Sequence, residues 1–281
     1  MRTVRRIIAV LLAVGFACAA YIYLTLPDVR VLRTQNPGTT AFIELRQRQA
    51  IDKGEPPRRV QRWVNYGRIS PSLKRAVIVT EDAAFWDHGG VDFQQLKESM
   101  EVNLERMEFE RGASTITQQL AKNLYLSPTK NPIRKGRELL IARRLEAELS
   151  KQRILEIYLN VIEWGNGIYG AEAAARTYFG KSAAELGPQE SALLAGAISS
   201  PRAFDPAHPS ARLRRRQEMI LRRMGAVTPP PVVAEPLSPA AAPESAPPTL
   251  SPPVEGPLVL PGEVVPPAKV PPLGGKPPGT P

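Results

Sequence analysis

Residues 134–160 read RKGRELLIARRLEAELSKQRILEIYLN. The run is rich in Ala, Leu, Glu, Lys and Arg, which favour helix, and it lacks the two-residue alternation of a strand. Ser150 interrupts it with a capping side chain, after which Ile154, Ile157, Tyr158 and Val161 recur at helical spacing. Two consecutive helices follow. Downstream, Ser182 and Glu185 match a capping box ahead of Leu186 and the apolar run ESALLAGAI (190–198). Upstream, STITQQLAKNLYL (114–126) has the same character. The spacing predicts an all-α domain over residues 40–225, close to the usual size of one domain.

Three positions within it carry polar groups where packing alone would not ask for them. At 100° per residue, Ser114, Gln118 and Lys122 form one stripe and Ile116, Leu120 and Leu124 the opposite one. A hydroxyl, an amide and an ammonium in a row suit an anion or a sugar, and they also suit a plain solvated face. Glu138 lies in the middle of the face made by Ile141, Ala142, Leu145 and Leu149, with Arg134 and Lys135 one turn earlier. A carboxylate there needs a partner or a proton. An ion pair with Arg134 or another cation explains it, and so does a carboxylate of tuned pKa beside a phosphate site. Glu81 follows the apolar stretch 76–79 and precedes Asp82. At a helix C-terminus the macrodipole and the neighbouring charge both oppose its ionisation, which suits a general base. A loop or cap carboxylate is the plainer account of the pair.

Both ends of the chain differ from this middle. Residues 7–26, IIAVLLAVGFACAAYIYLTL, carry no charge and as a helix span roughly 30 Å, a bilayer's hydrocarbon thickness. Arg2, Arg5 and Arg6 precede them, so residues 1–6 are expected in the cytoplasm and the rest beyond a single-pass anchor. Ala17-Cys18-Ala19 resembles a signal-peptidase site, but the apolar run exceeds the usual signal core of about 7–15 residues. Residues 226–281 hold 19 of the 30 prolines, and are expected to be a disordered tail. The chain of 281 residues carries a net charge of +10 with one Cys and two His. One Cys excludes a disulfide framework and a multi-Cys metal cage, and no metal ligand is assigned. Aromatics at 6% argue against base-stacking surfaces, and no nucleic-acid partner is expected.

Five ordered blocks carry a resemblance. EDAAFWDHGGVDF (81–93), RGASTITQQLAKNLYL (111–126), RKGRELLIARRLE (134–146), KQRILEIYLNVIEWGNGIYGAEAAARTYFGK (151–181) and SALLAGAISSPRAFDP (191–206) resemble those of the family 51 glycosyltransferases, the peptidoglycan glycosyltransferases. The likeness covers about Gln61 to Met224 and leans toward the monofunctional branch. It implies a lysozyme-like, two-lobed helical fold with a cleft between the lobes, held at a bacterial inner membrane with the catalytic domain in the periplasm. It implies polymerisation of lipid II onto a lipid-linked glycan chain, with inversion and release of undecaprenyl pyrophosphate.

By that resemblance Glu81 is the general base and Glu138 the second catalytic glutamate, on the pyrophosphate side. Ser114, Gln118, Gln119, Lys122 and Asn123 match the donor stretch, and Lys130, Arg134 and Lys135 match cations near the phosphates. Asp82, Phe85 and His88 would shape the site around Glu81. No cofactor is required, although a divalent cation, Mg2+ or Mn2+, beside Glu138 fits the resemblance. Partners would be lipid II, membrane lipids, and cell-wall synthesis or division proteins. Two positions depart from the family pattern: Ala113, where bifunctional members usually have Gly, and Lys130, where Arg is usual and bidentate phosphate contact would be lost. Met107 and Phe109, between the first two blocks, are expected to touch lipid.

Three rival readings stand beside it. Ser127-Pro128-Thr129-Lys130 fits a transpeptidase S-x-x-K, but the chain contains no K-T-G. Glu190-Ser191 resembles the pair of a lytic transglycosylase or lysozyme-like hydrolase, without that group's following motif. A basic, membrane-anchored scaffold would bind polyanions through Arg212, Arg214, Arg215, Arg216, Arg222 and Arg223.

Overall fold

The computed structural model describes residues 2–106, 114–127 and 131–226. The expected tail therefore lies outside the described residues, as do Met107, Phe109, Ala113 and Lys130. Helix α1 (Arg2–Leu24) is long and apolar enough to cross a membrane, and it makes no core of its own. Leu26, Val29 and Leu32 follow it and join the main core.

Most helices then begin where a capping side chain dictates. Thr40 accepts the N–H of Ile43 at 3.1 Å and starts α2 (Ala41–Asp52). Ser70, followed by proline at the first helical position, starts α3 (Pro71–Glu81). After α4 (Phe93–Arg106) come α5 (Ile116–Tyr125), α6 (Pro132–Glu148) and α7 (Lys151–Val161), capped by Thr115, Asn131 and Ser150. Helix α8 (Ala171–Phe179) ends at Gly180 in the left-handed conformation, and α9 (Pro188–Ala197) and α10 (Ala211–Ala226) complete the domain.

The all-α expectation needs one correction. A small three-stranded sheet joins β1 (Val60–Gln61), β2 (Glu163–Gly165) and β3 (Ile168–Tyr169), with β3 central, parallel to β1 and antiparallel to β2. Its cause is the Asn166-Gly167 turn: Gly167 has φ +70°, which only glycine adopts freely, and an added Cβ would meet the Arg58 carbonyl at 2.7 Å. The capping box also does less than expected. Glu185 accepts both the N–H and the Oγ–H of Ser182, but this closes the short 3-10 turn Ala183–Glu185, and α9 starts later, after Gly187.

Helix α5 packs against α2, α6 and α7, while α3 packs against α9 and α10. Ile116, Leu120, Ile141, Leu145, Ile154 and Trp164 are fully buried in one continuous core. Asn160, also buried, exchanges hydrogen bonds with both backbone groups of Val64 at 2.9 Å, fixing the entry to α3 against α7. That arrangement brings the end of α3 to the side of α5.

Candidate active site

Glu81 is the last residue of α3 and faces α5. Its Oε2 accepts the Nε2–H of Gln119 at 2.9 Å, and the Gln119 Oε1 in turn accepts the hydroxyl of Tyr158 at 2.8 Å. Among the described residues the other oxygen of Glu81 takes no hydrogen bond. Burial pushes the Glu81 carboxyl up from its ordinary value, the Gln119 amide and Arg216 pull it back, and Asp82 adds a smaller upward push. The direction is the one expected from sequence, but desolvation outranks the neighbouring carboxylate as its cause.

Asp82 turns the other way and is 1% exposed. Its Oδ2 accepts the N–H of Ile116 at the start of α5, where the helix N-terminus favours an anion, and its Oδ1 meets His88 Nε2 at 2.8 Å. The Gly90 N–H donates to His88 Nδ1, so the imidazole hydrogen sits on Nε2, facing Asp82. Thr115 Oγ1 donates to the Gly90 carbonyl at 2.7 Å. Phe85 is fully buried, edge-on to His88, with Lys151 Nζ 4.5 Å above its ring. Asp82, Phe85 and His88 thus hold the turn after Glu81 to the start of α5.

The second cluster lies on α6. Glu138, 3% exposed, receives Arg134 Nη1 on Oε2 and Lys135 Nζ on Oε1, each at 2.5 Å. Both cations come from one turn earlier on the same helix, so the ion-pair account of Glu138 holds, with Arg134 and Lys135 both as partners. Lys135 also reaches Ser114 Oγ and Gln118 Oε1, each at 3.2 Å. The stripe on α5 is real but shifted, because Ser114 precedes the Thr115 cap and is not on the helix. Lys122 makes no hydrogen bond or ion pair among the described residues. Burial pushes its ammonium down, Glu138 pulls it back up, Arg134 and Lys135 push it down again, and Glu81 pulls it up. It therefore feels both clusters. Asn123 instead donates to the Gln119 carbonyl at 2.8 Å and serves the helix itself.

The site is thus a desolvated carboxylate with one unengaged oxygen, beside a cluster of three cations. The family model for transglycosylases matches residues 47–225. This chain belongs to the transglycosylase family. It is 49% identical over 195 residues to a biosynthetic peptidoglycan transglycosylase of Dechloromonas aromatica (strain RCB), covering 69% of this chain and 84% of that one. A protein of the same description from Nitrosomonas eutropha is 50% identical over 193 residues, covering 68% and 79%. Another, from Chromobacterium violaceum, is 43% identical over 224 residues, covering 79% and 98%.

Several residues of this transglycosylase site were not read from sequence. Tyr158 looked like one apolar position of α7, although a phenol on a buried face calls for a hydrogen-bond partner. Glu146 accepts Thr117 Oγ1 at 2.5 Å and Lys151 Nζ at 2.8 Å, contacts to α5 and α7 that no spacing within α6 reports. Arg216 was grouped with its neighbours, yet its Nε donates to the Gly196 carbonyl at 3.0 Å and its charge reaches Glu81. Arg212, Arg214, Arg215, Arg222 and Arg223 are exposed.

The hydrolase reading of Glu190 fails on its contacts. That carboxylate accepts Lys181 Nζ at 2.5 Å and the Gly187 N–H at 2.9 Å, as a cap on α9. The described residues also do not suit a divalent cation beside Glu138. Both oxygens of that carboxylate are taken by cations, and Mg2+ wants several oxygen ligands. No step below is routed through a metal.

Proposed function

We propose that this transglycosylase polymerises lipid II into β-1,4-linked glycan strands. The donor is the growing chain on undecaprenyl pyrophosphate and the acceptor is lipid II. Glu81 takes the proton from the acceptor GlcNAc 4-hydroxyl, and that oxygen attacks C1 of the donor MurNAc. The C1–O bond to pyrophosphate breaks on the opposite face, so the anomeric centre inverts, and the leaving group departs as an anion.

The observation that carries this reading is the pairing of a basic, partly desolvated carboxylate with a preformed cation cluster. Lys122, Arg134 and Lys135 supply fixed positive charge where pyrophosphate charge develops, so its departure needs no protein acid. Glu138 holds Arg134 and Lys135 in place and keeps them from binding substrate too tightly before transfer. Ser114 and Gln118, tied to Lys135, extend the same surface toward the donor sugar.

The reading includes a lysozyme-like two-lobed shape and an anchor in the inner membrane, with the N-terminus cytoplasmic and the site in the periplasm. Helix α1 and the three arginines before the apolar run support that placement. Cell-wall synthesis or division proteins are candidate partners.

Incubating the detergent-solubilised chain with labelled lipid II, and separately with purified sacculi, tests the assignment. A ladder of glycan products with no soluble anhydro-sugars supports it. Release of anhydro-sugars without a ladder would replace it with a lytic activity.

A further inference from the structure

Gln119 is a saturated amide. Its Nε2 donates to Glu81 Oε2 at 2.9 Å and, at 3.4 Å, to the Ser114 carbonyl, while its Oε1 accepts from Tyr158 at 2.8 Å. Among the described residues Tyr158 is the one donor to that oxygen. An amide end facing a carboxylate has two settings. With N–H toward Glu81 it stabilises the anion; with C=O toward Glu81 it repels the anion and accepts from the protonated acid. Which setting prevails depends on what the far end of the amide meets.

Tyr158 decides that. It is fully buried on α7, and burial, reinforced by Glu81 and then Asp82, pushes its hydroxyl well above the ordinary range. It therefore stays neutral and keeps a hydrogen to donate. We propose that Tyr158 is a positioning residue for the transfer reaction: through Gln119 it holds the N–H end of the amide on Glu81 and so keeps that carboxylate ready to accept the proton. This rests on Glu81 being the base. The groups that face Glu81 are Asp82 beside it, Gln119 and Lys122 on α5, Tyr158 on α7 and Arg216 on α10. Of these, only the Gln119 contact has two settings.

Losing the Tyr158 hydroxyl removes the preference. The amide then turns its carbonyl to Glu81 whenever that group is protonated, which raises the pH at which the base becomes available. Because hydrogen bonds to charged groups are among the stronger ones, Tyr158→Phe is expected to move the acid limb of the kcat profile upward by about one pH unit. At a pH on that limb, kcat falls on the order of tenfold while KM for lipid II is unchanged.

The test uses the full-length chain in detergent with labelled lipid II, recording kcat and KM across pH for the native protein, Tyr158→Phe, Gln119→Ala and the double variant. The expected result is a shifted limb in Tyr158→Phe and no further shift when it is added to Gln119→Ala. A superimposable profile in Tyr158→Phe, or an equal additional shift in the Gln119→Ala background, would overturn the proposal, since a purely structural tyrosine acts independently of Gln119. Gln119→Glu, with Tyr158 intact, keeps an acceptor for the phenol and removes the donor to Glu81. Its limb has to move upward as well, and an unmoved limb there overturns the proposal without relying on how Tyr158→Phe folds. Glu81→Gln run alongside separates the two readings: if it stays active, the base assignment has failed, and if it is inactive while Tyr158→Phe matches native, only the relay has.

Discussion

Glu81 is held where its charged form is disfavoured, and that has two measurable consequences. On the proposed mechanism activity needs the carboxylate, so kcat/KM should fall as pH drops through a limb lying above the ordinary glutamate value of 4.5. A limb at or below that value would contradict the burial argument. Stability runs in the opposite direction. A carboxyl whose folded pKa is raised binds its proton more tightly in the folded chain, so the fold loses stability as pH rises from the unfolded value through the folded one. Near neutral pH the ionised group is therefore a burden on the fold, and Glu81→Gln should unfold a few degrees above the native chain while losing activity. Calorimetry of the two proteins at pH 7.5 checks this, and a lower Tm in the variant would count against it. On α6, Lys135 ties Glu138, Ser114 and Gln118 together. Lys135→Met should reduce kcat/KM on the order of tenfold or more, because the proposed charge-assisted contact to phosphate is lost; kinetics against labelled lipid II measure it.

Between elements, Gly90 is held close against α6. Its φ is +88°, and an added Cβ would sit 2.9 Å from Glu146 Cγ and 3.3 Å from the Ala142 carbonyl on α6. Gly90→Ala should destabilise the fold by about 1–3 kcal/mol, read by denaturant unfolding. It should also loosen the Thr115 cap that its carbonyl receives. The helices were legible because their signals are local: the Ser150 cap, the period of Ile154 and Ile157, and an acid stranded on an apolar face at Glu138. The sheet was passed over although Asn166-Gly167 between Trp164 and Ile168 is a hairpin signal, because strands of two or three residues scarcely alternate. The Glu81–Gln119–Tyr158 chain could not be read at all. It joins α3, α5 and α7, residues 38 and 39 positions apart, and no spacing within one helix reports such a contact.

Across the whole molecule, α6 links the site to the apolar helix. One face carries Arg134, Lys135 and Glu138. From another, Arg137 donates to the Thr25 hydroxyl and carbonyl, each at 3.0 Å, and Arg144 donates to the Tyr23 carbonyl at 3.3 Å while lying 4.7 Å over the Tyr23 ring. The exit of α1 is thus fastened to the helix that carries the cation cluster. Replacing both Arg137 and Arg144 with Ala should lower the rate on lipid II in liposomes several-fold and leave the rate on a short-chain, water-soluble lipid II analogue unchanged. Equal losses on both substrates would mean that these arginines serve folding instead.

The most direct test of the account is polymerisation of labelled lipid II by the native full-length chain beside Glu81→Gln, with glycan products separated on a gel. The account predicts a ladder from the native protein and none from a folded Glu81→Gln variant. A ladder of equal intensity from both would contradict the assignment of Glu81 as the base on which the rest of the mechanism depends.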